Sequence, residues 1–347
     1  MTLAPPISSS YVSALHTAGK GRPVFAIENL AVSVPSPDGR VALVHDVSLS
    51  VGRGECHAVV GESGCGKTVT CLAALGLMPR NASVSGSVRL GDTQLLNGKP
   101  GELEAMRGRR IGMIFQDPQG ALNPVRTIGR QLIEPLRLHL GMSREAARDR
   151  ACELLALVGI SAPETRLDAY PHQLSGGTCQ RVMIAMALAT EPDVLIADEP
   201  TTALDATVQL QVLDLLKSIQ RQRDLAIVLI THDLGVVSEI CDSVTVLYAG
   251  RSVESRAKAD LFASPRHPYT RALLDCLPSL DPEAPPPAAI SGEVPSPGQH
   301  PSGCAFHPRC RGASPACARS LPTPMPAGPD GMVRCHHPAG AAGYTLQ

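Results

Sequence analysis

Eight consecutive residues, Gly61-Glu62-Ser63-Gly64-Cys65-Gly66-Lys67-Thr68, fit the pattern G-x-x-x-x-G-K-[ST] and constrain the fold more than any other feature of the chain. Their flanks give the pattern its meaning: the apolar run HAVV precedes it and the helix-like TVTCLAALGLM follows. Glycines let backbone amides turn inward around phosphate oxygens, and the start of the next helix adds the positive end of its dipole. In such a loop Lys67 reaches the β- and γ-phosphates, and Thr68 offers its hydroxyl to Mg²⁺, which takes octahedral oxygen ligands. The plainer reading, a glycine-rich turn with an incidental lysine, is disfavoured by the flanking strand and helix.

Between Val24 and about Ala257, short segments rich in Val, Ile and Leu alternate with longer helix-like stretches, the pattern of a parallel sheet with crossover helices. Cys56 to Val60, Val194 to Ala197 and Ala226 to Ile230 are largely apolar on both faces, as strands covered on both sides require. Between Gly141 and Ile160, EAARDRACELLALVGI carries apolar residues at helical spacing and belongs to a mostly helical insertion ahead of Pro171 to Arg181. Asp198 and Glu199 directly follow the apolar run Val194 to Ala197, which puts two carboxylates at the carboxyl end of a buried strand, where α/β sheets bind ligands. Asp198 suits a Mg²⁺ shell through water. Glu199 suits orienting or deprotonating an attacking water, because phosphoryl transfer rests on positioning and charge stabilisation. Alone, such a pair is most often a solvated strand end; the loop upstream changes the reading.

Composition closes off other classes. Of the 347 residues 44% are hydrophobic and 18% charged, enough apolar material for a sizeable core and inconsistent with a wholly disordered chain. Lys and Arg total 31 against 32 Asp and Glu, and a net charge of -1 argues against a nucleic-acid binder. The longest apolar runs, such as Val182 to Ala189, fall far short of the roughly 20 residues that span a bilayer. The opening MTLAPPISSSYVSALHTAGK lacks a basic stretch followed by an apolar one, so no secretory signal and a cytosolic compartment are expected.

Leu174-Ser175-Gly176-Gly177, followed by Gln180-Arg181, resembles the signature sequence of the ATP-binding cassette (ABC) ATPases, and it precedes the carboxylate pair as in that family. A serine hydroxyl and glycine amides at a helix start form an anion site, although LSGG standing alone reads first as a helix cap. The resemblance implies that Ser175, Gly176 and Gly177 cap the γ-phosphate held by the loop of a second cassette, so function requires a dimer. Gln116 in MIFQDPQGALNP resembles the Q-loop glutamine, implied to touch Mg²⁺ and the lytic water and to link the site to membrane subunits. Thr202-Ala203-Leu204-Asp205 resembles the D-loop at the dimer interface, and His232 in LITHDLGVVSE resembles the switch histidine that contacts the γ-phosphate. The implied site therefore has Glu199, His232 and Gln116 as catalytic residues. Around ATP it has Gly61, Glu62, Ser63, Gly64, Cys65, Gly66, Lys67 and Thr68 with Ser175, Gly176, Gly177 and Asp205, and around Mg²⁺ it has Thr68, Gln116 and Asp198. The implied fold is α/β, a P-loop NTPase ABC cassette with a RecA-like core, an antiparallel β subdomain and a helical subdomain. Two departures stand out. Thr178, followed by Cys179, replaces the signature's usual long polar residue. Residues 30–51 hold no Phe, Tyr, Trp or His except His45, so an adenine-stacking aromatic is missing; Val34 or the Asp38 to Val41 turn is expected in its place.

Beyond Pro278 the composition turns proline-rich, as in PSLDPEAPPPAAISGEVPSPGQHPSG, and an extended, irregular chain is expected. Arg266-His267-Pro268-Tyr269-Thr270-Arg271, Ile290 to Pro295 and Gly303-Cys304-Ala305-Phe306-His307-Pro308-Arg309-Cys310 resemble the C-terminal extension of the peptide/nickel importer ATPases, D-type subunit. The organisation read from this is a flexible leader (1–24), a nucleotide-binding domain (25–257), an irregular Cys-rich extension (258–338) and a tail (339–347). Of eleven cysteines, seven are scattered over 56–276 and read as packing residues, Cys65 and Cys179 with a possible sensitivity to alkylation. Cys304, Cys310, Cys317 and Cys335 fall in a poorly hydrophobic segment that a metal could help to fold. Their spacing is not a pair of C-x2-C knuckles; four thiolates suit Zn²⁺ or a [4Fe-4S] cluster, and unliganded packing stays open. The resemblance favours the cluster, since some members of the subfamily carry one there. His307, His336 and His337 read as solvated rather than ligating.

The resemblance implies an ATPase subunit of a bacterial importer for peptides or a related solute such as a nickel chelate or an opine. Expected partners are a second cassette, identical or paralogous, two permeases and an extracytoplasmic solute-binding protein, with the chain at the cytoplasmic face of the inner membrane. A cassette acting on ribosomes or DNA fits less well, because only 58 residues separate Gln116 from Ser175, too few for a long coiled-coil insertion. A catalytically weak regulatory partner is opposed by the intact Lys67, Asp198, Glu199 and His232.

Overall fold

A computed structural model describes residues 22–98, 101–202, 204–277, 289–329 and 331–339. The expected leader up to residue 21, Ala203 and the tail from 340 lie outside the described residues. The strands, in chain order, are β1 (Phe25–Ser36), β2 (Gly39–Val51), β3 (Cys56–Val60), β4 (Ser83–Leu90), β5 (Thr93–Gln94), β6 (Ile111–Ile114), β7 (Val194–Asp198), β8 (Ala226–Thr231), β9 (Ser243–Tyr248), β10 (Arg251–Ala257), β11 (Met325–Pro326) and β12 (Met332–Val333). The chain divides into two compact units, one of Met1–Gly52, Cys56–Gly98 and Thr231–Gln347, the other of Arg53–Glu55 and Lys99–Ile230.

The first unit contains an antiparallel sheet ordered β2-β1-β4-β5 and a second sheet region ordered β11-β12-β10-β9-β3. Strand β3 runs parallel to β9, with Val60 opposite Val246, whereas β9, β10 and β12 are antiparallel. Every residue of β3 is buried, including His57, whose ring nitrogens lie 2.7 Å from the Ser243 hydroxyl and 2.9 Å from the Thr245 hydroxyl. The antiparallel strands β1 and β2 instead mix buried and partly exposed positions, the pattern of a half-covered sheet. The C-terminal extension joins this unit by main-chain pairing: Glu254 of β10 lies opposite Val333 of β12.

The second unit carries the parallel strands β6, β7 and β8, with Ile111 opposite Val194 and Val194 opposite Ala226. Helices Ile128–Leu140, Arg144–Leu157 and Pro163–Leu167 form the expected helical insertion. Thr127 and Ser143 cap the first two by accepting from the Arg130 and Ala146 amides, which fixes where each helix starts. Helix Gly176–Leu188 follows and buries Val182, Met183, Ile184 and Leu188.

Candidate nucleotide site and C-terminal extension

The phosphate loop joins β3 to helix Lys67–Ala74. Gly61, Gly64 and Gly66 take positive φ angles of 155°, 78° and 101°, a backbone path that side chains resist. A Cβ on Gly61 would also run into the Leu247 carbonyl and the Cys65 sulfur, so no larger residue fits there. Lys67 is 6% exposed, and its ammonium donates to the carbonyls of Gly61 (2.7 Å) and Glu62 (3.1 Å), which holds the charge inside the loop. Cys65 is fully buried, and burial pushes its thiol above the usual range. That position argues against the alkylation sensitivity the sequence suggested, since the thiolate is the reactive form. Cys179 is likewise buried with its thiol pushed up by burial.

In the second unit, Asp198 ends β7 at 2% exposure, and Glu199 follows with φ +45°. A non-glycine residue in this left-handed region is strained, and the Glu199 amide is pinned by donating to the Ile230 carbonyl at 2.9 Å. Its carboxylate accepts at Oε2 from Gln116 Nε2 (3.1 Å) and from Thr202 Oγ1 (2.8 Å). Two residues that the sequence placed 83 positions apart, Gln116 and Glu199, thus meet in one hydrogen bond. Thr202 was read only as part of a D-loop-like stretch, yet its hydroxyl supports the carboxylate. Asp205 caps helix Ala206–Arg223, accepting from the Thr207 and Val208 amides.

Ser175 is the N-cap of helix Gly176–Leu188: its Oγ accepts from the Thr178 amide at 3.3 Å and lies 2.8 Å from the Thr178 hydroxyl. Ser175 and Gly176 are exposed at the helix tip. Thr178, the departure from the signature pattern, therefore extends the cap. Gln180, 2% exposed, donates to the Pro200 carbonyl at 2.6 Å and ties this helix to the turn after Glu199. His232, in the first unit, is exposed after β8, ahead of helix Leu234–Ile240, which Asp233 caps. Val34 pairs with Val41 across β1 and β2, so the two apolar candidates for the missing aromatic's place are neighbours.

Residues 44–202 match the family model for the ABC transporter, and 253–317 match the oligopeptide/dipeptide transporter C-terminal region. The dipeptide transport ATP-binding protein DppD of Bacillus subtilis is 46% identical over 86% of this chain and 90% of its own length. This chain belongs to the ABC transporter ATPases of the oligopeptide/dipeptide transporter branch. The oligopeptide transport ATP-binding protein OppD of Salmonella typhimurium is 44% identical, covering 86% of this chain and 89% of its own. Among solved structures, the ATP-binding cassette MJ0796 in a dimeric post-hydrolysis state with ADP and Pi aligns at TM-score 0.61 and 28% identity, covering 67% of this chain and 98% of that one. Like its relatives, this ABC ATPase carries the ATP-hydrolysing fold; among the described residues no helix is long and apolar enough to cross a membrane.

Within the ABC branch, the C-terminal extension is the distinguishing part. Cys304, Cys310, Cys317 and Cys335 line one pocket together with His307, His336 and His337. Among the described residues no three His, Cys, Asp or Glu side chains are gathered closely enough to grip one metal ion. Burial raises the thiols of Cys304 and Cys310 and pushes Cys335 up to about 12. The Ser314 and His337 amides point at the sulfurs of Cys317 (3.5 Å) and Cys335 (3.4 Å). The histidines, read as solvated, are half-occupied elsewhere: His307 Nδ1 faces the Cys304 carbonyl and His337 Nε2 the Ser314 hydroxyl.

Sequence reasoning missed the link between extension and loop. Arg309 forms a two-pronged pair with the Glu62 carboxylate, Nη1 to Oε2 at 2.8 Å and Nη2 to Oε1 at 2.9 Å. The Glu62 amide donates to the Tyr269 hydroxyl at 2.9 Å. The one available signal was an acidic residue inside an anion-binding loop, which calls for a compensating cation.

Proposed function

We propose that the chain is the ATPase subunit of a bacterial importer whose cargo is peptides, working at the cytoplasmic face of the inner membrane with a second cassette, two permeases and a solute-binding protein. What carries this reading is the coincidence in one chain of a phosphate loop inside an ABC-transporter match and of an oligopeptide/dipeptide transporter extension. The loop amides and Lys67 bind the triphosphate. Glu199, held by Gln116 and Thr202, orients and deprotonates the attacking water, and His232 contacts the γ-phosphate. Ser175, Gly176 and Gly177 close on the nucleotide of the partner cassette, with Asp205 near that interface. In this reading Thr68, Gln116 and Asp198 are the residues that would offer Mg²⁺ the hard oxygen donors it takes, and the ion would neutralise phosphate charge.

For the four thiols we favour a polynuclear cluster over Zn²⁺. What supports this reading is that four cysteines line one pocket and two amides are aimed at their sulfurs, the kind of hydrogen bonding that cluster thiolates take. Ligation would release the thiol protons and add folding energy to a segment short of apolar core. Anaerobic purification with iron, sulfide and zinc quantification tests this; zinc without iron and sulfide, or absence of all three, overturns it. For transport, proteoliposomes with the neighbouring permease and binding-protein gene products are loaded with ATP and given labelled dipeptides. Uptake that vanishes in Lys67→Ala supports the reading. ATP turnover without uptake of any peptide overturns the cargo.

A further inference from the structure

We infer that Arg309 and Tyr269 of the C-terminal region are positioning residues for the phosphate loop, acting through Glu62 to set its affinity for ATP. The inference rests on the reading of Gly61 to Thr68 as the nucleotide site. Glu62 is gripped at three points. Its carboxylate is held by both terminal nitrogens of Arg309, its amide by the Tyr269 hydroxyl, and its carbonyl by the Lys67 ammonium at 3.1 Å.

The grip is built rather than incidental. The Arg309 side chain is 5% exposed, and it also donates through Nε to the Ser291 carbonyl at 2.9 Å. Its guanidinium stands 5.8 Å from the Tyr248 ring centre and 5.9 Å from that of Phe306. Tyr248 meets Tyr269 and Phe306 edge to face and the Tyr269 and Phe306 rings are tilted against each other, with centroids 4.6 to 5.2 Å apart, so strand β9, helix Pro268–Asp275 and the extension share one packed aromatic floor. A planar, preorganised fork against a carboxylate fixes direction as well as charge, which a surface lysine would not.

The chemistry gives this arrangement a purpose. A carboxylate at the second position of a phosphate loop repels the phosphates it sits beside. Arg309 neutralises that charge and turns it toward the extension, while Tyr269 fixes the adjoining amide. Without Arg309, Glu62 is left as an unpaired anion, 28% exposed, at the mouth of an anion site. The lost affinity is then specific to nucleotide and is relieved by removing the anion.

The test measures binding of a fluorescent ATP analogue with Mg²⁺ to the full chain, alongside thermal unfolding without nucleotide. Arg309→Met is expected to weaken binding roughly tenfold, the equivalent of about 1.4 kcal/mol. Arg309→Lys should recover part of the loss, and adding Glu62→Gln to Arg309→Met should recover most of it. Tyr269→Phe, which keeps the ring floor, should weaken binding by about threefold, and it carries the test if Arg309→Met fails to fold. Binding by Arg309→Met equal to wild type, or a double variant as weak as the two single losses combined, overturns the inference. Lys67→Ala separates the two claims: if wild type binds no ATP, or Lys67→Ala binds as well as wild type, the site reading itself fails.

Discussion

Replacing Thr202 by Val tests whether the Glu199 carboxylate works because it is held. Glu199 sits in a left-handed backbone conformation that non-glycine residues resist, and its carboxylate is held by donors that include Gln116 at 3.1 Å and Thr202 at 2.8 Å. Valine keeps the shape of threonine and removes only the hydroxyl. A hydrogen bond to a charged acceptor contributes about 1.5–3 kcal/mol, and the lower end applies because both side chains are partly exposed and Gln116 keeps its bond. A loss of about 1.5 kcal/mol of transition-state stabilisation is roughly a tenfold fall in kcat. Steady-state ATPase assays of the reconstituted complex should show that fall with KM for ATP changed less than about twofold, since the hydroxyl serves the carboxylate and not the nucleotide. Thr202→Ser should keep most of the rate. Wild-type turnover in Thr202→Val, or equal losses in the serine and valine variants, would refute the reasoning.

Three further outcomes follow from the first unit. His267, fully buried, caps helix Pro268–Asp275 by accepting from the Tyr269 amide at Nδ1, and burial pushes its pKa down to about 3. A lowered folded-state value stabilises the protein above the ordinary 6.5, and that stability drains as pH falls toward 3, by about 1.4 kcal/mol per pH unit; urea unfolding from pH 7 to 5 should show the slope and His267→Asn should flatten it. Glu254, 0% exposed, accepts from the Arg266 and His267 amides and stands 3.6 Å from Arg256. Glu254→Ala should cost about 3–5 kcal/mol in chemical denaturation, and a loss under about 1 kcal/mol would show that water replaces the carboxylate. Gly303 has φ +72°, and a Cβ there would strike the Cys317 carbonyl that accepts from the Cys304 amide. Gly303→Ala should therefore open the thiol pocket and raise the number of cysteines that react with a disulfide reagent in the native state.

What the sequence disclosed was whatever is local. The loop, the largely apolar, fully buried strands β3, β7 and β8, and the start of the signature helix each follow from spacing over ten residues or fewer, where period and cap chemistry act directly. Ser175 was legible both as an anion site and as an ordinary cap, and it does cap its own helix. The grip of Arg309 on Glu62 spans 247 residues and leaves no periodicity, so only the folded chain reveals it. Likewise, the four cysteines announced their number and spacing but not that they line one pocket. Thr202 gave no local sign of its support for Glu199, because a threonine in a turn is ordinary.

The central claim is that ATP joins two cassettes through the tip of helix Gly176–Leu188. Hydrogen-deuterium exchange of the Glu199→Gln protein, with its partner cassette present, reads this directly at the amides of Gly176 to Thr178. The account predicts that Mg²⁺ and ATP slow their exchange strongly and that ADP does not. Equal exchange with and without ATP would contradict it.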